Sequence, residues 1–78
     1  MYEATENLAD RAYRYIRQEL QEGNLTPGTQ LVNRKLAERI GVSVIPVREA
    51  IHRLVSEGLV EHVPGAGAFV RNPNREDL

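Results

Sequence analysis

The stretch NRKLAERIGVSVIPVREAIHRLVSEG, residues 33 to 58, holds two apolar repeats of helical period with a glycine between them. In the first, Leu36, Ala37 and Ile40 share one stripe, and Arg34, Lys35, Glu38 and Arg39 lie outside it. Asn33 is a good N-cap for this helix, and Gly41 ends it. In the second, Val47, Ala50, Ile51, Leu54 and Val55 follow the i, i+3, i+4, i+7, i+8 pattern. Ser43 is its expected cap. Pro46 is tolerated in the first turn, where amides have no intrahelical acceptor. Gly58 closes it. Two helices joined by a short glycine-containing turn make a helix-turn-helix. The face opposite the apolar stripe carries Ile45, Arg48, Glu49, His52 and Ser56. Arg48 and His52 suit that face, and Glu49 is placed to pair with Arg53 at i+4. Ile45 has no explanation in a core.

Upstream, Leu8, Ala12, Ile16 and Leu20 recur every four residues, widened by Ala9 and Tyr13. They predict a first helix over residues 6 to 22, capped by Thr5 and stopped by Gly23. Tyr13 and Tyr15 read as packing residues. LTPGTQL (25–31) reads as a turn built on Pro27-Gly28, and Leu31-Val32 as a very short strand. Downstream, LVEHV (59–63) and AFVRN (68–72) have strand character and are joined by Pro64-Gly65-Ala66-Gly67, which predicts a hairpin. Its apolar residues, Leu59, Val60, Val63, Phe69 and Val70, cannot be assigned to faces from sequence. Residues 73–78 read as an exposed exit.

The expected architecture is therefore mainly α with a small β-hairpin: a winged helix-turn-helix of three helices, a short first strand and a two-stranded wing. At 78 residues the chain supports one small core. It has no cysteine for disulfides or thiolate metal sites, and no run long enough to cross a membrane. His52 and His62 stand apart without a ligand cluster, and no catalytic or phosphate-loop motif is present. An enzyme is not expected, nor a cofactor or metal. Both histidines read as solvated or structural side chains.

Net charge is −1, which by itself argues against a nucleic-acid partner, but the charge is unevenly spread. Residues 23–56 hold five basic side chains against two acidic ones, while the segments on either side are net acidic. A third helix of this kind fits the major groove, roughly 12 Å wide, and helix N-termini present amides to phosphates.

The blocks LAERIGVS, PVREAI, EGLV and GAGAFV, in that order and spacing, resemble the DNA-binding domain of GntR-family bacterial transcription regulators, most closely the FadR-type branch. YIRQELQEGNLTPGTQL, before them, is similar to the same family's first helix and Pro-Gly turn. The resemblance spans residues 8 to 71. It implies sequence-specific binding of double-stranded DNA, with the third helix in the major groove and the wing at the minor groove. Arg34 would hold a phosphate. Ser43 would cap the recognition helix and touch the DNA backbone. Val44, Ile45 and Pro46 would lie at the groove floor or its edge, and Arg48 would reach a guanine or phosphate. Gly65 and Gly67 would let the wing tip, with Ala66, approach the minor groove. The resemblance further implies a cytoplasmic repressor or activator, homodimeric on a pseudo-palindromic operator. Residues 1–72 would form the DNA-binding domain, and 73–78 would lead towards an effector and oligomerisation domain absent from this sequence.

The chain departs from the family's pattern where Arg and Thr are common at positions 44 and 45, and where the wing tip is often basic. Val44 and Ile45 are expected to pack on thymine methyl groups in the major groove. The alternative is a winged helix that uses Val44 and Ile45 as an apolar docking patch for protein.

Overall fold

A computed structural model describes residues 7–72. Helix α1 spans Leu8–Gln21, strand β1 Gln30–Leu31, helix α2 Asn33–Ile40, helix α3 Val44–Ser56, and strands β2 and β3 Val60–Val63 and Gly67–Val70. The three helices and the three-stranded antiparallel sheet make a winged helix, as expected.

Helix boundaries follow local chemistry, with three adjustments. The cap of α1 is Asn7, whose side-chain oxygen accepts from the Ala9 amide at 2.7 Å. Thr5, the cap expected from sequence, lies outside the described residues. Asn33 is the first residue of α2, behind a Val32 cap that has no side chain able to accept a bond. Ser43 occupies the cap position of α3 with extended backbone, but its hydroxyl makes no capping bond. Between α2 and α3, Gly41 adopts φ 86° and its amide donates to the Ala37 carbonyl at 2.8 Å. Only glycine takes this left-handed conformation without steric cost, so the sharp turn depends on it.

Helix α3 is the centre of the molecule. It lies against α1, α2 and β2. Val47, Ala50, Ile51 and Leu54 are buried, and they meet Ala12 and Ile16 of α1 and Leu36 and Ala37 of α2 in one cluster. Fully burying a side chain such as Leu54 is worth about 1.5–3 kcal/mol.

The sheet runs in the order β1-β3-β2. The LTPGTQL turn leads into β1, which pairs with β3 so that Leu31 lies opposite Ala68. In the hairpin, Val60 pairs with Val70 and His62 with Ala68. Directly opposed residues share a face, which settles what the sequence left open. Val60, Ala68 and Val70 are buried toward the helices. Val63 and Phe69 stand on the other face, half-buried. At the tip, the Ala66 amide donates to the Val63 carbonyl at 2.9 Å, and Gly65 has φ 80°. Pro64-Gly65 thus forms a turn of type II character.

Candidate nucleic-acid interface

Among the described residues, nothing covers the outward side of α3. Arg48, Glu49 and His52 are all exposed, and Ile45 is 64% exposed, the more open of the two exposed large apolar side chains in the described region. Val44 behaves differently: it is half-buried and packs against the core. Pro46 is buried. The three consecutive residues expected at the groove floor or its edge therefore divide. Ile45 points outward, Val44 lies at the margin, and Pro46 faces the interior, where it fixes the first turn of α3. A helix turns about 100° per residue, so three neighbours cannot share one face.

Ser43 is exposed beside them, with a hydroxyl not engaged in capping. Arg34, Lys35 and Arg39 are exposed on α2. Among the described residues, Arg34, Lys35, Arg39 and Arg48 make no ion pair. The expected Glu49–Arg53 pair does not form. Arg53 instead donates to Asp10 of α1 at 3.1 Å and lies over the Tyr13 ring, 3.9 Å from its centroid. Arg53 follows the buried Ile51 and Leu54 round to the α1 side, where an aromatic face and a carboxylate both meet it.

The wing is braced from the sheet. The Gln30 side-chain amide donates to the Ala66 carbonyl at 3.0 Å. Gly67, at φ 121°, passes so close that a Cβ there would stand 3.0 Å from Gln30 Nε2. Its positive φ favours glycine, and an added Cβ would also press on the Gln30 amide. Gly65 has open space around it, and its φ of 80° serves the turn. Ala66 is exposed at the tip.

Between α3 and the wing runs a groove of about 370 Å³, lined on its polar side by Gln30, Asn33, Arg48, His52 and His62. Among the described residues, no acidic side chain lines it. His62 reaches it because it shares the helix-facing side of the hairpin with Val60 and Ala68 and lies nearer the tip than Val60. Sequence reasoning placed the two histidines apart; strand alternation puts His62 on the face of Val60, and only the packing of the hairpin shows that this face meets α3.

The sequence matches the family model for bacterial regulatory proteins, gntR family, over residues 8–70. The chain belongs to that family. Among gntR-family relatives and related regulators, it is 36% identical over 63 residues to the HTH-type transcriptional regulator McbR of Escherichia coli, covering 81% of this chain and 28% of that protein. It is 37% identical over 62 residues to the HTH-type transcriptional repressor NagR of Bacillus subtilis, covering 78% and 26%. The chain thus spans little more than a quarter of these relatives' length. In three dimensions it is similar to the AraR DNA-binding domain solved in complex with operator ORX1, with TM-score 0.76 and 30% identity, covering 90% of this chain and 86% of that one. No helix among the described residues is long and apolar enough to cross a membrane.

Proposed function

We propose that this domain binds double-stranded operator DNA as the reading module of a cytoplasmic bacterial transcription regulator, with α3 in the major groove and the wing at the minor groove. The observation that carries the reading is the uncovered outer face of α3, where Arg48 is exposed and unpaired among the described residues. The likeness to a domain solved on its operator supports it. Arg34 and Ser43 hold phosphates at the starts of α2 and α3. Arg48 reaches a guanine edge or a phosphate. Gly65, Ala66 and Gly67 form the wing tip that approaches the minor groove. Pro46 sets the first turn of α3 rather than touching bases. No catalytic, cofactor or metal role is assigned to the chain. Two copies, joined through a region outside residues 1–72, read a pseudo-palindromic operator.

Ile45 is the direct reader. An exposed isoleucine at the mouth of a recognition helix finds its natural partner in the C5-methyl of thymine. Val44 supports it from behind.

Selection of bound duplexes from a random pool, followed by titration at several salt concentrations, tests the reading. Neutralising three or four phosphates gives a slope of log affinity against log salt of about −3. Salt-insensitive binding, or none, rejects it and favours an apolar protein-docking face around Ile45. Replacing thymine by uracil in the selected duplex weakens binding by the native chain about four-fold, the worth of one methyl group, and has little effect on the Ile45→Ser variant, whose side chain has no methyl. Equal discrimination by both chains rejects the methyl contact.

A further inference from the structure

We infer that the groove between α3 and the wing is a phosphodiester-binding site gripped by His52 and His62 together with Arg48, so that duplex binding is linked to proton uptake. This rests on the DNA-binding reading above and deepens it.

Three observations carry the inference. The first is convergence: His52 comes from α3 and His62 from β2, yet both line one groove with Arg48. The second is that no described residue supplies a competing acid. Gln30 of β1 and Asn33 of α2 complete the polar lining, and both are neutral donors. The nearest carboxylates in sequence, Glu49 on α3 and Glu61 on β2, lie outside it. In a chain of net charge −1, a groove with a cation, two imidazoles and no carboxylate among the described residues is a local reversal of sign. The third is availability: both histidines are exposed, and neither makes a hydrogen bond or ion pair among the described residues.

The groove's position fits the ligand. With α3 in the major groove and the wing at the neighbouring minor groove, the sugar-phosphate strand separating the two must pass between helix and wing. Histidine is the side chain whose charge ordinarily changes between about pH 5 and 8. A phosphate held beside an imidazole favours its charged form, and the charge-assisted bond is stronger than the neutral one. The sign follows: binding takes up protons, so affinity rises as pH falls. Because phosphate contacts carry no sequence information, the effect is present on any duplex.

The test is an anisotropy titration of a fluorescein-labelled duplex of mixed sequence with the whole chain, at about pH 7.5 and about pH 5.5 and fixed ionic strength. The native chain gains roughly ten-fold in affinity at the lower pH, equivalent to about 1.4 kcal/mol. Its salt slope steepens by about 1. The double variant His52→Gln with His62→Gln loses most of that gain, and each single variant loses part. An equal pH response in native chain and double variant overturns the inference while leaving DNA binding intact. Failure of the native chain to bind duplex at either pH overturns the DNA-binding reading itself. Proton NMR of the imidazole rings supplies a readout on the native chain alone. Both ring signals shift when duplex is added at about pH 6.5; unmoved signals with the duplex bound refute the site.

Discussion

On the side of α3 that meets α1, charge is settled within the protein. The Tyr13 hydroxyl donates to the Glu57 carboxylate, 2.7 Å to Oε1 and 2.8 Å to Oε2, and accepts from Arg17 at 3.0 Å. Arg17 also stands 3.7 Å from Glu57, and Arg53 bonds Asp10 beside the same ring. On the side that faces the wing, Arg48, His52 and His62 surround a groove with no acid in its lining among the described residues. The two sides are built from the same helix and similar residue types. Their difference teaches that a cation's role is set by what the fold brings opposite it. Paired cations at the α1 seam hold helices together, each exposed pair being worth about 0–1 kcal/mol. Arg48, unpaired among the described residues, is left available for the polyanion proposed above.

Four substitutions sharpen or break this contrast. The largest effect lies in what both sides share. Leu54→Ala removes a fully buried side chain from the inner face of α3 and lowers stability by about 2–5 kcal/mol, read by urea denaturation. A smaller loss means that the core is not centred on α3. Next, Arg48→Ala weakens duplex binding by about 1–3 kcal/mol and leaves the unfolding midpoint nearly unchanged. If instead the domain is destabilised with DNA affinity intact, the division between the two sides of α3 is wrong. Tyr13→Phe does the opposite: it lowers stability by about 1 kcal/mol through the lost hydroxyl bonds and leaves DNA affinity alone. A change in duplex affinity here brings the seam into the reading surface. The smallest effect on the fold comes from Ile45→Thr, within about 0.5 kcal/mol by thermal or urea unfolding. A larger loss shows that Ile45 belongs to the core and not to the reading face.

Helix α3 was legible almost residue by residue. Its apolar stripe was the buried one, and Ile45, Arg48 and His52 were outward as the period required. Helix ends were less legible. Asn7 caps α1, and Asn33 and Ser43 stand at helix starts without side-chain capping bonds. Several polar residues near a start compete for the same amides, and the pattern alone does not choose between them. The Glu49–Arg53 pair failed because an i+4 spacing only permits a contact. A tyrosine ring and a carboxylate on α1 offered Arg53 more.

The sequence by itself determined the order of elements, the two helices around Gly41, and the split between inner and outer faces of α3. Those features depend on spacing within a few residues, and backbone geometry converts spacing into direction. Tertiary structure alone decided that His62 joins His52 and Arg48 across one groove, that Gln30 braces the wing tip, and that Arg53 turns to α1. These partners are far apart along the chain. Each contact is set by how helix and hairpin pack, which no local repeat encodes.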